Sequence, residues 1–446
     1  MSYIEERIKS IPKERIALTS LNTEYTYEKI LSLISANTEA IENLRGHSLV
    51  INGRGRMEFA LLLSLLDGKA SSILFLPSDI DSSLHDQFYK EASVAYEVFF
   101  ENDVLHYTPV SKNMHLHTNV MQQTQWIVPT SGTTSTPKLV SHTFNSLTRT
   151  AKQNITLGEQ YRWGLVFDIY RFSGIQVFLQ SLLGGSTLII TEANQTMSEI
   201  LDILIQRKCN ALSATPSFWR KVLMSQNANM LKLERITLGG EIADENTLQA
   251  LRNKYPTAKI SHIYASTEVG VGFSVTDGHE GFPASFLDGE LPNIKMKIDD
   301  SGLLWISPPN HEQNYISDIP MYDEEGYINT GDKVILKNDR VYFLGRESGA
   351  INVGGNKVQP EEVELKLLAS DIVAAAYVYP VKNAMMGSLV GADVVLSDKT
   401  IDKKEAKKVL LKHCRESMEG YKVPAILKFM DEVQTTQSGK LKRGAK

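Results

Sequence analysis

The sequence predicts an α/β protein: a large N-terminal domain of layered sheets and helices closed by a small β-rich subdomain, and then a small α+β domain. Three observations predict it. Up to Gly302, short continuous apolar runs alternate with stretches of helix-forming composition, the pattern of largely parallel sheets covered by helices. Beyond Gly302 the runs shorten and are flanked by polar turns, as in antiparallel pieces. After Gly345-Arg346-Glu347-Ser348-Gly349 the chain starts a new set of helices and strands, and about 100 residues suffice for an independent core.

Taken in order, residues 48–53 (Ser-Leu-Val-Ile-Asn-Gly) read as a buried strand closed by Gly53, 57–66 as a helix, and 72–76 as a returning strand, which makes a crossover unit. The alternation recurs as strand 187–190, helix 197–207, strand 211–214 and helix 217–226. Runs 302–306 and 340–344 supply the β-rich subdomain. Helix 360–368, strands 374–379 and 391–396, and the charged helix 403–414 form the last domain. The boundary falls near 346–348, giving domains 1–346 and 347–446.

Composition excludes several classes. Hydrophobic residues at 42% and charged residues at 22% are ordinary for a globular protein, and 446 residues are enough for two or three cores. With a formal charge of -5 there is no overall basic field to hold a nucleic-acid backbone. Cys209 and Cys414 have no paired spacing, which argues against a disulfide framework or a Cys-rich zinc site and fits a reducing compartment. The most apolar stretch, 59–76, is broken by Asp67, Gly68 and Lys69, short of the roughly 18 to 20 residues of a membrane span. The N-terminus lacks a secretory pattern, so a cytoplasmic protein is expected.

One stretch carries chemistry by itself. In Trp126-Ile127-Val128-Pro129-Thr130-Ser131-Gly132-Thr133-Thr134-Ser135-Thr136-Pro137-Lys138 an apolar strand runs into small hydroxyl and glycine residues and ends at a lysine. Small residues let backbone N–H groups approach an anion, hydroxyls donate further, and the lysine is a compact charge for a polyphosphate. A solvated Ser/Thr linker is the alternative at this point. The P-loop pattern is excluded, because Pro137 precedes the lysine and no Ser or Thr follows it.

Thr130-Ser131-Gly132-Thr133-Thr134 with Pro137-Lys138 resembles the signature loop of the adenylate-forming superfamily, which includes acyl-CoA synthetases, peptide-synthetase adenylation domains and luciferases. Ser135 and Leu139 stand where that pattern usually has glycine. Further segments resemble the family in the same order. Gly239-Gly240-Glu241 is similar to a wall of its adenine pocket, and Tyr264-Ala265-Ser266-Thr267-Glu268 to its aromatic-Gly-x-Thr-Glu motif. The resemblance implies that Tyr264 flanks adenine, Thr267 contacts the α-phosphate and Glu268 helps to hold Mg2+; a flat ring and a hard oxygen ligand suit those tasks. Asp332, in Thr330-Gly331-Asp332, and Arg346 correspond to the ribose-contacting pair, and Ser348 takes the hinge position. Gly354-Gly355 corresponds to a turn lining a thiol channel, and Thr436-Gln437-Ser438-Gly439-Lys440 to the C-terminal motif with the catalytic lysine.

The resemblance implies ATP-dependent conversion of a small carboxylic acid to its acyl-adenylate with release of pyrophosphate. Transfer to the thiol of CoA or of a phosphopantetheinyl carrier follows, with the last domain acting as a mobile lid that brings Lys440 in. Segment 167–176 occupies the place of the acyl pocket, where Tyr170, Arg171 and Gly174 are the candidate substrate contacts. Arg171 either holds a second acidic group or pairs with Asp168. The resemblance implies that an amino-acid-activating relative has an aspartate here for the ammonium group; Asp168 is a candidate, but its spacing to Gly185 is longer than that pattern, which favours an aryl or short acyl acid over an amino acid. Transfer to an amine or hydroxyl and a non-catalytic nucleotide-binding module are the rival readings.

Overall fold

The structure, a computed structural model, describes residues 2–110, 123–130 and 137–433. Two large sheets dominate the N-terminal part. The eight-stranded sheet has the order Gly270–Val275, Lys259–Ser266, Arg235–Gly239, Ala211–Ala214, Arg162–Leu165, Thr187–Ile190, Ile16–Thr19, Glu24–Thr26, parallel throughout except at its two outermost pairings. The seven-stranded sheet has the order Asn314–Tyr315, Leu139–His142, Gln125–Pro129, Ser72–Leu76, Ser48–Asn52, Tyr96–Glu101, Val104–Pro109, with a parallel centre.

Helices Arg56–Leu66 and Phe172–Gly184 join these sheets into one core. Ile51, Phe75 and Trp126 of one sheet and Leu165, Leu188 and Ile190 of the other belong to the same buried cluster as Phe59, Leu62, Phe178 and Leu182 of the helices. Both helices are buried on nearly every side, which is why their sequences carry no polar stripe. The apolar stretch around residue 60 is therefore an interior helix between sheets. Among the described residues no helix is long and apolar enough to cross a membrane.

The β-rich subdomain is a five-stranded antiparallel sheet, Phe282–Pro283, Arg340–Arg346, Ile328–Lys337, Leu303–Ser307, Lys295–Ile298, packed over a core that includes Val269, Phe273 and Phe286. Past the short turn Glu347–Gly349 a further sheet forms from strands Ile351–Val353, Asn356–Val358, Val373–Asn383, Gly387–Leu396 and Ile426–Phe429, with helices Pro360–Leu368 and Lys403–Ser417 on its core. Its two long strands extend beyond the short runs the sequence marks, through the paired segments 380–383 and 387–390, whose apolar runs are broken by Lys382 and Ser388. Asn246 Nδ2 donates to the Leu368 carbonyl at 3.3 Å, one contact between this part and the large sheets' helices.

Candidate nucleotide and acyl site

Parallel strands expose unpaired backbone and loops at their carboxyl ends, where open α/β sheets bind ligands. Thr130 follows the strand Gln125–Pro129, Gly239 ends Arg235–Gly239, and Thr267 follows Lys259–Ser266. The chemistry-bearing segments of the sequence thus converge on one edge of two sheets. At the first of them, the Thr130 N–H donates to the Lys138 carbonyl at 2.8 Å, and the Lys138 N–H donates to Thr130 Oγ1 at 2.9 Å. The two residues close a neck. Ser131, Gly132, Thr133 and Thr134 lie outside the described residues.

The exposed Lys138 carries its ammonium 4.6 Å from the centre of the Tyr315 ring. Tyr315 comes from the two-residue edge strand Asn314–Tyr315, paired with Val140 just beyond the lysine. Burial, with the negative charge of Glu268 nearby and Arg346 opposing, pushes its phenol up to about 12, so it stays neutral. Tyr315 therefore touches Lys138 and lies within the fields of Glu268 and Arg346. Nothing in Gln313-Asn314-Tyr315-Ile316 marks it in the sequence; only the pairing of a short edge strand brings it there.

Thr267 and Glu268 occupy the turn of the antiparallel hairpin formed by Lys259–Ser266 and Gly270–Val275, where the Val269 N–H donates to Ser266 Oγ at 3.1 Å. Behind the turn lies His142, fully buried, with Nδ1 3.3 Å from Ser146 Oγ. Burial holds its imidazole down at about 4, partly offset by the backbone of Thr267, so the ring is a neutral wedge under the Thr-Glu turn. Sequence reading misses it, because its task depends on a contact with a hairpin far along the chain.

The Tyr264 hydroxyl donates to Asp332 Oδ2 at 2.6 Å, and Arg346 Nε donates to Asp332 Oδ1 at 3.1 Å. Asp332 and Arg346 face each other across the ladder of strands Ile328–Lys337 and Arg340–Arg346, so their pairing is set by register. Burial opposes the Arg346 charge, but Asp332, Tyr264 and Glu268 outweigh it and hold the guanidinium above its usual range. The Tyr264 ring stacks on Phe343 (5.2 Å, 4°) and Phe273 (5.3 Å, 13°). Its phenol is raised well above the ordinary range by burial and then by Asp332. The structure gives this tyrosine a carboxylate to hold, a role beyond that of a flat wall.

Gly239 and Gly240 follow as the chain leaves its strand, and Glu241 accepts from the Ser217 N–H at 2.9 Å, at the start of helix Pro216–Met224. The acyl-pocket candidates are each held by neighbours in the fold. Tyr170 is buried, its hydroxyl 3.3 Å from the Asn52 carbonyl and 3.4 Å from that of Gly55, its ring edge-on to Phe59 at 4.6 Å. A Cβ on Gly174 would lie 2.2 Å from the Asp168 carbonyl oxygen, so glycine is what lets the helix seat on its own leading loop. Arg171 Nη2 donates to Asp79 Oδ1 at 2.6 Å and Nη1 to the Thr130 carbonyl at 3.2 Å, with Nε 4.0 Å from Asp168 Oδ2.

Gly354 and Gly355, at φ +58° and +92°, form the exposed turn of the hairpin Ile351–Val353 and Asn356–Val358, a conformation that L side chains resist. Lys440 lies outside the described residues. Among the described residues no group of three or more His, Cys, Asp or Glu gathers as a metal cage. Glu268 alone fits a small hard cation that takes its other ligands from phosphate and water, as Mg2+ does. The arrangement supplies one carboxylate held by Tyr264 and Arg346, a second carboxylate at the hairpin turn, and an ammonium beside a neck closed by its own hydrogen bonds.

Comparison with known proteins agrees with this geometry. The family model described as AMP-binding enzyme matches residues 69–312, and that described as AMP-binding enzyme C-terminal domain matches residues 362–440. A D-alanine–D-alanyl carrier protein ligase of Staphylococcus haemolyticus (strain JCSC1435) is 27% identical over 341 residues, covering 70% of this chain and 69% of that protein. The ligase of the same name from Staphylococcus aureus (strain Newman) is 26% identical over 344 residues, with 72% and 70% covered. Among solved structures, the o-succinylbenzoate CoA synthetase of Bacillus subtilis with its acyl-adenylate intermediate superposes with a TM-score of 0.73 at 21% identity, covering 99% of this chain and 97% of that one. An anthranilate CoA ligase in complex with anthranoyl-AMP gives 0.79 at 17% identity, covering 99% and 96%. At such identities the two structures establish the fold.

Proposed function

Because the chain belongs to the AMP-binding enzymes, we propose that it is an AMP-forming acid–thiol ligase, which activates a small carboxylic acid as its acyl-adenylate and passes the acyl group to a pantetheine thiol. The observation that carries this reading is the convergence of Asp332, held by Tyr264 and Arg346, with Glu268, Tyr315 and Lys138 at one edge of two sheets. A carboxylate with both oxygens already oriented suits a pair of ribose hydroxyls, which are donors. Lys138 and the Thr130 neck suit the β- and γ-phosphates.

In the first step the carboxylate oxygen of the acid bonds to the α-phosphorus of ATP and the bond to pyrophosphate breaks. Two anions must be brought together, so positive charge has to be in place beforehand. Mg2+ on Glu268 supplies part of it when bound; Lys138, with Thr133 and Thr134, takes the departing pyrophosphate, and Thr267 the α-phosphate. We assign Lys440 to bridge the acid and the α-phosphate. We place the domain boundary at 346/347, so that this lysine lies on a lid that closes for adenylation. In the second step the thiol sulfur attacks the acyl carbon and AMP leaves, with Gly354-Gly355 turned toward the thiol.

The acceptor class follows the relatives, two named for a carrier protein and two for CoA. For the acid we propose an aryl or short acyl group. Asp168, the residue placed to receive an ammonium, is buried with Arg171 Nε already 4.0 Å from it, although burial outweighs Arg171 and Arg56 and raises its carboxyl above the ordinary range. The D-alanine ligases among the relatives favour an amino acid as a second reading. We place the enzyme in the cytoplasm, where ATP and pantetheine thiols are available and where isolated buried cysteines such as Cys209 and Cys414 stay reduced; its net charge of -5 argues against a nucleic-acid partner. A pyrophosphate-release screen over aryl acids, short acyl acids and D-alanine, with and without CoA or a phosphopantetheinylated carrier, tests the proposal. Release with an aryl or short acyl acid supports it; release with D-alanine alone selects the second reading. Lys440→Ala is expected to abolish acid-dependent release while thioester formation from supplied acyl-adenylate survives. Loss of both would refute the assignment of Lys440.

A further inference from the structure

Arg171 is the one basic side chain that the acyl-pocket segment contributes, and all of its reach is taken. Its side chain is 13% exposed, and the guanidinium is tied to Asp79 at 2.6 Å and to the Thr130 carbonyl at 3.2 Å and lies 4.0 Å from Asp168. Those partners come from different places. Asp79 follows the strand Ser72–Leu76 and Thr130 follows Gln125–Pro129, both in the seven-stranded sheet, whereas Arg171 follows Arg162–Leu165 of the eight-stranded sheet. One side chain therefore links the carboxyl ends of both sheets.

The chain of bonds continues through Thr130 to Lys138, by the Thr130 N–H to the Lys138 carbonyl and the Lys138 N–H to Thr130 Oγ1. A guanidinium fork is planar, so fixing one arm on Asp79 fixes where the other arm holds the Thr130 carbonyl. A cation with two carboxylates beside it has no net charge to offer a third anion. We infer that Arg171 is a positioning residue for the polyphosphate end of the site: oriented by Asp79, it fixes the Thr130–Lys138 neck, and it is not a ligand of the acid. The inference rests on the nucleotide reading above.

This role has a signature that general packing lacks. Lys138 and its neck face the β- and γ-phosphates, so disturbing them weakens ATP and leaves AMP, which has neither, unaffected. The experiment is calorimetric titration of the full chain with ATP, AMP and pyrophosphate, each with Mg2+, for the unsubstituted protein, Arg171→Ala, Arg171→Lys and Asp79→Asn. Arg171→Ala is expected to weaken ATP and pyrophosphate by about tenfold or more, with AMP changed less than about twofold. Arg171→Lys, which keeps the charge but loses the fork, and Asp79→Asn, which loosens its anchor, are expected to show the same preference at smaller size. If Arg171→Ala does not fold, those two carry the test. Equal weakening of ATP and AMP, or no weakening of either, overturns the inference. So does a variant whose acid KM rises while its ATP affinity holds, which would make Arg171 an acid ligand. Failure of the unsubstituted protein to bind ATP or AMP refutes the nucleotide reading itself, and this inference with it.

Discussion

At the scale of single residues, the site is a set of side chains whose protonation is settled by burial. Tyr315 and Tyr264 are held as neutral phenols, and His142 is held neutral by its complete burial behind Thr267. For His142 the sign can be worked out. Its folded value of about 4 lies below the ordinary 6.5, so between those values the unfolded chain binds the proton and the folded chain does not. Stability is therefore lost as pH falls from 6.5 toward 4, by about 2 kcal/mol at pH 5 from this residue alone. Urea midpoints at pH 7.5 and pH 5 are expected to fall less in His142→Gln than in the unsubstituted protein. Equal falls would show that the ring does not titrate as described. Of these residues, the sequence reveals Tyr264, Glu268, Asp332 and Arg346, because each stands in a short ordered motif. His142 and Tyr315 sit in segments without a motif, and one partner of each, Thr267 for His142 and Lys138 for Tyr315, comes from more than a hundred residues away.

At the scale of elements, short apolar runs are enough to place the strands Ser72–Leu76, Thr187–Ile190 and Ala211–Ala214 and the helix Pro360–Leu368. They cannot show that helices Arg56–Leu66 and Phe172–Gly184 lie between two sheets, since a buried helix and a buried strand both read as unbroken hydrophobicity. In the same region Tyr170 packs on Phe59 and reaches the Asn52 and Gly55 carbonyls, while Gly174 lets its helix seat on the loop that leads into it. Gly174 shows the conflict of local and tertiary preference. Alanine is better than glycine inside a helix by about 1 kcal/mol. Here, however, its Cβ would meet the Asp168 carbonyl oxygen at 2.2 Å, and backbone must move to make room. Gly174→Ala is expected to lose about 1–3 kcal/mol of stability in denaturant unfolding, a cost of the order of overpacking. A variant as stable as the unsubstituted protein would mean that the loop 168–171 yields freely, and would weaken the case for Arg171 as a fixed strut.

At the scale of the whole molecule, two sheets carry candidate segments at the carboxyl ends of their strands, a β-rich subdomain brings Asp332 and Arg346 to Tyr264, and the last sheet carries the Gly354-Gly355 turn. This order was legible because the seven-stranded sheet contributes one motif, the eight-stranded sheet two, and the β-rich sheet the Asp332–Arg346 pair. The identity of the acid was not, because the pocket segment is built from residues that the fold itself consumes. The central claim is that an acid oxygen becomes bonded to the α-phosphorus of ATP, and that oxygen can be followed. With an acid that the screen identifies, labelled with 18O in its carboxylate, turnover with ATP and the thiol acceptor is expected to leave one labelled oxygen in AMP, read by mass spectrometry. Label in inorganic phosphate, or AMP formed without label, would contradict the account.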